Sequence, residues 1–262
     1  MSTNNQNNIV VFDMDETLGY FYELSIFWSV INRYYNKYIS DKHFVEILDL
    51  YPEFIRPNII RILKIILKYK SQDKCSKIMM YTNNQGERTW IQLICKYFDT
   101  KLKTKTFDQI IAAFKANGEK IEICRTTHDK SVSDLIKCSN IPENTRICFI
   151  DDQFHSLMKT DNVYYINVKP YEYSLDFQEM ALRYYNKFNN NITSKKEFVN
   201  YVIKNMTKSG YIHVEKNKTE NNIDKIVSKK VLTYIKEFFN ESENKNTKKH
   251  RRKQKNKTKK NL

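Results

Sequence analysis

Asp13 and Asp15 stand two residues apart in the segment Val-Val-Phe-Asp-Met-Asp-Glu-Thr-Leu, directly after a short apolar run. A second apolar run, residues 77–81, stops at Thr82, and a third, residues 146–150, stops at Asp151 and Asp152. Carboxylates gathered in one crevice repel each other unless a hard cation neutralises them. Magnesium takes a few carboxylates, waters and phosphate oxygens, which matches this set. A carboxylate can also serve as a nucleophile, and a second one beside it can pass a proton to or from the reacting group. A calcium loop is the rival reading of Asp13-x-Asp15-x-Thr17. It fails because Leu18 stands where the sharp turn needs glycine and Leu24 stands where the bidentate glutamate belongs.

The elements that must position these residues read as alternating strands and helices. Residues 9–12, 77–81, 146–150 and 163–168 are short runs rich in β-branched and aromatic residues, predicting buried parallel strands. Helices are predicted over residues 21–38, from Arg56-Pro57 onward with Ile59, Ile62, Leu63 and Ile66 on one face, over residues 87–98, and over residues 131–138 with Ser131 or Ser133 as cap. This alternation predicts an α/β fold, a parallel sheet with helices on both faces. In such a sheet the ligand crevice lies at the carboxyl ends of the strands, so Asp13, Thr82 and Asp151 converge there. Two further helical patches lie near residues 198–206 and 223–239.

The bulk composition narrows the class. With 262 residues, 40% of them hydrophobic, the chain can bury a full core. The formal charge is +15, and ten lysines and arginines fall after residue 243 with no acid among them, which leaves +5 on the rest. Residues 240–262 are therefore expected to be a disordered basic tail suited to nonspecific polyanion contact. The tail has no aromatic residue to stack on a base. Five cysteines without C-x-x-C spacing argue against a disulfide framework and for a reducing compartment. The most apolar stretch, residues 59–67, is broken by Arg61 and Lys64, and residues 1–8 lack the apolar centre of a secretion signal. These features predict an intracellular protein, cytoplasmic or nuclear, that does not enter a membrane. No nucleotide-binding P-loop or H-E-x-x-H motif occurs, and the scattered histidines, His128 and His155 included, read as structural or solvated.

Taken in order, these segments resemble the four motifs of the haloacid dehalogenase (HAD) superfamily of phosphotransferases. Asp13-Met14-Asp15-Glu16-Thr17 matches the first, Met79-Met80-Tyr81-Thr82 the second and Phe149-Ile150-Asp151-Asp152 the fourth. Lys130 is the best-placed lysine for the third, with Lys137 as the alternative. The resemblance implies a Rossmann-like, HAD-type fold with a small or absent cap over residues 8–190, followed by a helical extension over residues 191–239. It implies that Asp13 attacks phosphorus to form an aspartyl phosphate and that Asp15 protonates the leaving oxygen and then activates water. It also implies that Thr82 hydrogen-bonds a phosphoryl oxygen, that Lys130 balances its charge, and that Mg2+ is held by Asp13, the Asp15 backbone carbonyl and Asp151 or Asp152.

Within that superfamily the chain resembles the small CTD phosphatases, through Asp13-Met14-Asp15-Glu16-Thr17-Leu18 and Arg56-Pro57. It departs from their pattern at Asn83-Asn84, after Thr82, and at Gln153-Phe154, after Asp152. The likeness implies a phosphorylated macromolecule as substrate, protein phosphoserine or phosphothreonine ahead of other classes. A nucleic-acid 3′-end phosphatase, a small-molecule or nucleotide phosphatase, and a catalytically silent binding module are the alternatives. Retention of both Asp13 and Asp15 speaks against the last.

Overall fold

The apolar run before Asp13 forms β1 (Asn8–Phe12), and the runs before Thr82 and Asp152 form β2 (Lys77–Tyr81) and β6 (Arg146–Asp151). The computed structural model describes residues 7–258, with side chains as far as Glu241 except Asn191. Between β1 and β2 lie α1 (Tyr22–Tyr34), α2 (Asp41–Leu50) and α3 (Ile59–Ser71). After β2 come α4 (Arg88–Leu102), β3 (Gln109–Ile111), a small hairpin of β4 (Lys115–Ala116) and β5 (Glu119–Lys120), and α5 (Val132–Ser139). β7 (Val163–Asn167), α6 (Phe177–Phe188), α7 (Lys195–Thr207) and α8 (Lys218–Thr258) complete the order.

The sheet is parallel throughout, in the order β3-β2-β1-β6-β7. The chain winds from β1 outward through β2 to β3, then returns to the other side of β1 through β6 to β7. The reversal falls between β1 and β6, and at such a switch point the flanking connections diverge and open a crevice at the carboxyl ends. The register sets Val11 opposite both Met79 and Phe149, so the three strands end level with one another.

Successive side chains of a strand face opposite sides of a sheet, and the core divides accordingly. Val10, Phe12, Ile78, Met80, Cys148 and Ile150 join one large cluster with buried residues of α1–α4 and α6–α8. Ile9, Val11, Met79, Tyr81, Ile147 and Phe149 join a smaller one with Leu135 of α5 and Met158. The fold is thus the α/β architecture expected, with helices on both faces. The C-terminal helices share the large cluster: Phe198, Val202, Val231, Ile235 and Phe238 are buried in it. Phe239 stacks on Tyr69, and Arg146 at the start of β6 donates to the Phe238 carbonyl at 2.7 Å.

Several elements differ from their sequence expectation. α2, α6, the edge strand β3 and the β4–β5 hairpin are additions. α2 carries Phe44, Val45, Ile47 and Leu48 on a buried face behind a Ser40 cap, so its signal is present in the sequence. The helix after Arg56-Pro57 begins only at Ile59, because Asn58 is left-handed at φ 64° and holds a turn ahead of it. The backbone of α8 stays helical to Thr258, past residue 240 where a disordered tail is expected. No glycine or proline follows Gly210 to break it, and lysine, arginine and glutamine are good helix formers. Cys124 and Cys138 are joined in a disulfide, which their spacing does not announce; the fold brings the loop before α5 back beside that helix's last turn. Cys75, Cys95 and Cys148 are thiols. Among the described residues no helix is long and apolar enough to cross a membrane.

Glu23, in the first turn of α1, is fully buried and accepts the Leu175 backbone N–H at 3.0 Å, which ties α1 to the segment before α6. Burial pushes its carboxyl from the ordinary 4.5 up to about 8. The folded protein therefore holds this proton more tightly than the unfolded chain does. The stability it contributes is full below the unfolded value and is lost as pH rises through the folded one. Glu23→Gln keeps the acceptor and removes the titration. The denaturation midpoint of the variant is expected to fall less than that of the parent between about pH 5 and about pH 9; parallel profiles would show that Glu23 is not the group responsible.

Candidate active site

The first motif leaves β1 with its backbone still tied to the sheet, since the Asp13 N–H donates to the Ile150 carbonyl at 2.9 Å. The chain then reverses at Glu16, which is left-handed at φ 57° and whose N–H donates to the Gly19 carbonyl at 2.8 Å. Gly19 is required there: a Cβ would stand 2.4 Å from the Phe54 carbonyl oxygen and 2.6 Å from the Phe21 ring. Arg56 braces the turn from behind. Its buried guanidinium donates to the carbonyls of Thr17 (2.6 Å), Glu16 (2.5 Å) and Lys169 (2.8 Å). Thr17 closes the loop onto the fourth motif, donating to Asp152 Oδ1 at 2.9 Å and accepting the Asp152 N–H at 3.1 Å.

Lys130 is brought in by α5, which at eight residues is too short to hold itself together in isolation. Ser131 caps it by accepting the Asp134 N–H at 3.2 Å, a bond of a kind that contributes about 1 kcal/mol. The Ser131 N–H in turn donates to the Tyr81 hydroxyl at 3.3 Å, which fixes the helix start to the end of β2. The preceding loop is tied down by Arg125, fully buried, which donates to the carbonyls of Thr82 (3.2 Å), Ala112 (2.8 Å) and His128 (2.9 Å). The Cys124–Cys138 bridge fastens the same loop to the end of α5.

These supports place the Lys130 ammonium between two carboxylates, 2.5 Å from Asp13 Oδ1 and 2.7 Å from Asp151 Oδ2. Asp13, Asp151 and Asp152 each present an oxygen to one point, with those atoms within 4.8 Å of one another and all three residues buried. Asp151 is held further by the Gln153 N–H at 2.8 Å and by His155 Nε2 at 3.5 Å. Asp15 turns away from the cluster, and its Oδ2 accepts from Asn84 Nδ2 at 2.8 Å. Thr82 is buried at the end of β2, and its hydroxyl oxygen accepts the Asn84 N–H at 3.0 Å. Lys137, the alternative to Lys130, is exposed in the last turn of α5.

The electrostatics follow from burial and crowding. Burial, with repulsion from Asp151 and Asp15, holds the Asp13 carboxyl well above its ordinary range despite the Lys130 ammonium. Asp15 is raised chiefly by burial, against the Asn84 bond and Lys130. Asp152 is raised by burial and by Asp151, against the bond from Thr17. At Asp151 the cost of burial is outweighed by His155 and Lys130, and its carboxyl is lowered. For Lys130 burial works against the charge, but Asp13 and Asp151 prevail and raise it. Among the described residues Lys130 is the one lysine or arginine ion-paired with these carboxylates. An excess of buried negative charge on oxygen donors fits a hard divalent cation.

Comparison with protein-family models, curated proteins and solved structures gives no match.

Four contributors went unassigned in the sequence. Asn84 marks itself only as a residue two past a strand-end threonine. His155 lies four residues beyond Asp151, in the strand-end loop where contact is feasible, but a single histidine carries no pattern. Arg56 and Arg125 are arginines whose partners are backbone carbonyls, and carbonyls leave no trace in side-chain spacing.

Lys130→Met would leave Asp13 and Asp151 buried without their cation. Breaking a buried pair in this way costs about 3–5 kcal/mol. Asp13, which burial already holds above its unfolded value, would lose its cation, so the loss is greatest at neutral pH and shrinks as pH falls and Asp13 takes a proton. Denaturant titration with a chelator present, near pH 5 and near pH 7.5, is expected to show this. A variant as stable as the parent at both pH values would remove Lys130 from its central place.

Proposed function

We propose that the chain is a magnesium-dependent phosphomonoester hydrolase that works through an aspartyl phosphate on Asp13, with phosphoserine or phosphothreonine of a protein as substrate. The observation that carries this reading is the convergence of Asp13, Asp151, Asp152 and Lys130 at the sheet's switch point, with Asp15 set apart beside it. Asp13, Asp151 and Asp152 would hold the ion, together with the Asp15 carbonyl by the motif's analogy. The ion supplies neutralising charge for the phosphoryl oxygens and for the carboxylates themselves.

The chain's own residues divide the remaining work. Asp13 attacks phosphorus, and the bond from phosphorus to the leaving oxygen breaks. Asp15, whose carboxyl is raised by burial, delivers the proton to that oxygen. Water then attacks the phosphorus of the aspartyl phosphate while Asp15 takes its proton back, releasing inorganic phosphate and restoring Asp13. Lys130 fixes one Asp13 oxygen, which orients the nucleophile and offsets the charge that builds on the phosphoryl group. The Thr82 hydroxyl accepts from the Asn84 N–H and keeps its own proton for a phosphoryl oxygen. Positioning and fixed charge of this kind dominate phosphoryl transfer.

Purified protein with Mg2+ is expected to hydrolyse a generic aryl phosphate. Asp13→Asn should lower kcat by at least about 10^3-fold, the scale seen on removing a nucleophile, and Asp15→Asn by about 10^2-fold or more, the scale of a general acid. Activity that survives Asp13→Asn would sink the mechanism. Mg2+ should also raise the melting temperature, by about 2.7 kcal/mol of stabilisation at a hundred times its dissociation constant. Asp152→Asn should lose that shift, and an undiminished shift would move the ion elsewhere.

A further inference from the structure

A groove of about 710 Å³ opens directly beside Asp15. Its size lies within the range of about 300–1,000 Å³ that encloses a drug-sized ligand, so it holds far more than a phosphoryl group. One wall comes from the first motif and α1, the other from the segment after β2 and the start of α4. Trp28, Trp90, Tyr22 and Tyr38 line it, and the two tyrosines are largely exposed, at 57% and 62%. Three carboxylates also line it: Asp15, Glu16 and Glu87. None of its lining residues is a lysine, arginine or histidine.

On a chain with a formal charge of +15, a groove with three acids and no base is an exception. With no lysine, arginine or histidine in its walls the groove offers a polyanion no counter-charge, so an oligonucleotide strand or a polyphosphate is a poor occupant. Aromatic faces next to carboxylates are the setting in which an arginine or lysine side chain is held, by cation–π attraction and ion pairing together. The groove's position adds a direction. If Asp15 protonates the leaving oxygen, the leaving group lies on the side of Asp15 that faces the groove, and Asn84, which holds Asp15, lines the groove as well.

We propose that this groove binds the peptide segment next to the phosphorylated residue and selects phosphoserine or phosphothreonine sites that have an arginine or lysine close by. The inference rests on the phosphatase reading for the side on which the leaving group sits, and on the groove's own walls for the charge it selects. Glu87 is exposed and outside the phosphoryl site, so its charge can be reversed without disturbing the core.

The test uses the full chain with Mg2+ and three phosphoserine peptides that differ only in flanking residues: arginine, glutamine or glutamate. A 3′-phosphorylated single-stranded oligonucleotide and an aryl phosphate complete the panel. The arginine peptide is expected to exceed the glutamine peptide about tenfold in kcat/KM, chiefly through KM, and the glutamate peptide should be poorer still. Glu87→Lys should bring the arginine-to-glutamine ratio close to one. Equal turnover of the three peptides, or an oligonucleotide preferred to all of them, overturns the proposal. Anisotropy of the same labelled peptides on Asp13→Asn protein reads the groove without turnover. If the aryl phosphate is not hydrolysed, the phosphatase reading fails, yet tighter binding of the arginine peptide, lost in Glu87→Lys, would still support the groove. Equal binding of all three peptides would sink it.

Discussion

β1 and β6 end side by side, and each ends in a carboxylate that must share a dry crevice with the other. Two buried like charges at that separation are costly, and the Lys130 ammonium between them is what makes the arrangement tenable. A buried ammonium is itself expensive, so it persists only if its position is strictly determined. Much of the structure on that side of the sheet serves this end. The Ser131 cap and the Tyr81 hydroxyl fix the start of α5, while Arg125 and the Cys124–Cys138 bridge hold the loop that delivers the lysine. A shift in any of these residues would move the charge that Asp13 depends on.

The other side of the crevice has a complementary constraint. The first motif must turn sharply at the end of β1, through a left-handed Glu16 and a Gly19 pressed against Phe54. A turn of that kind leaves carbonyls pointing inward, and Arg56 satisfies two of them, Glu16 and Thr17, while its guanidinium also reaches the Lys169 carbonyl after β7. Thr17 then locks the turn to Asp152 through a reciprocal pair of hydrogen bonds. The two halves of the site are therefore joined twice, by Lys130 through charge and by Thr17 through hydrogen bonding. Such redundancy suits a crevice whose carboxylates would otherwise drive it apart.

What was legible in the sequence follows from which interactions leave a periodic or local mark. The strands before Asp13, Thr82 and Asp151 announce themselves because buried parallel strands are continuous apolar runs, and their polar ends mark the crevice once the sheet is assumed. Lys130 was placed by its position ahead of a helix, and its contact with Asp13 across 117 residues depends on the fold. β3 is three residues of edge strand, too short to give a pattern. The disulfide closes a span of 14 residues that is drawn together only by the return of α5. The roles of Arg56 and Arg125 were illegible for a different reason: an arginine that serves carbonyls has no partner residue to be read.

In the proposed reaction Asp13 and Asp15, only two residues apart, carry two different chemical roles. Burial raises both carboxyls, so what distinguishes them is the partner each one meets. Asp13 stays in the cluster, where an ammonium and two neighbouring carboxylates bear on it. Asp15, directly before the turn, lies outside the cluster and meets an amide, Asn84, beside an aromatic groove. The Asn84 bond and Lys130 only partly offset the burial that raises the Asp15 carboxyl, which suits the proton exchange proposed for it. In the proposed reaction that difference separates the group that must stay on phosphorus from the group that must exchange with the leaving oxygen and with water. Asp15 stands directly before the reversal at Glu16, and the Arg56 bond to the Glu16 carbonyl braces that reversal, so the same turn fixes where the proposed acid leaves the sheet.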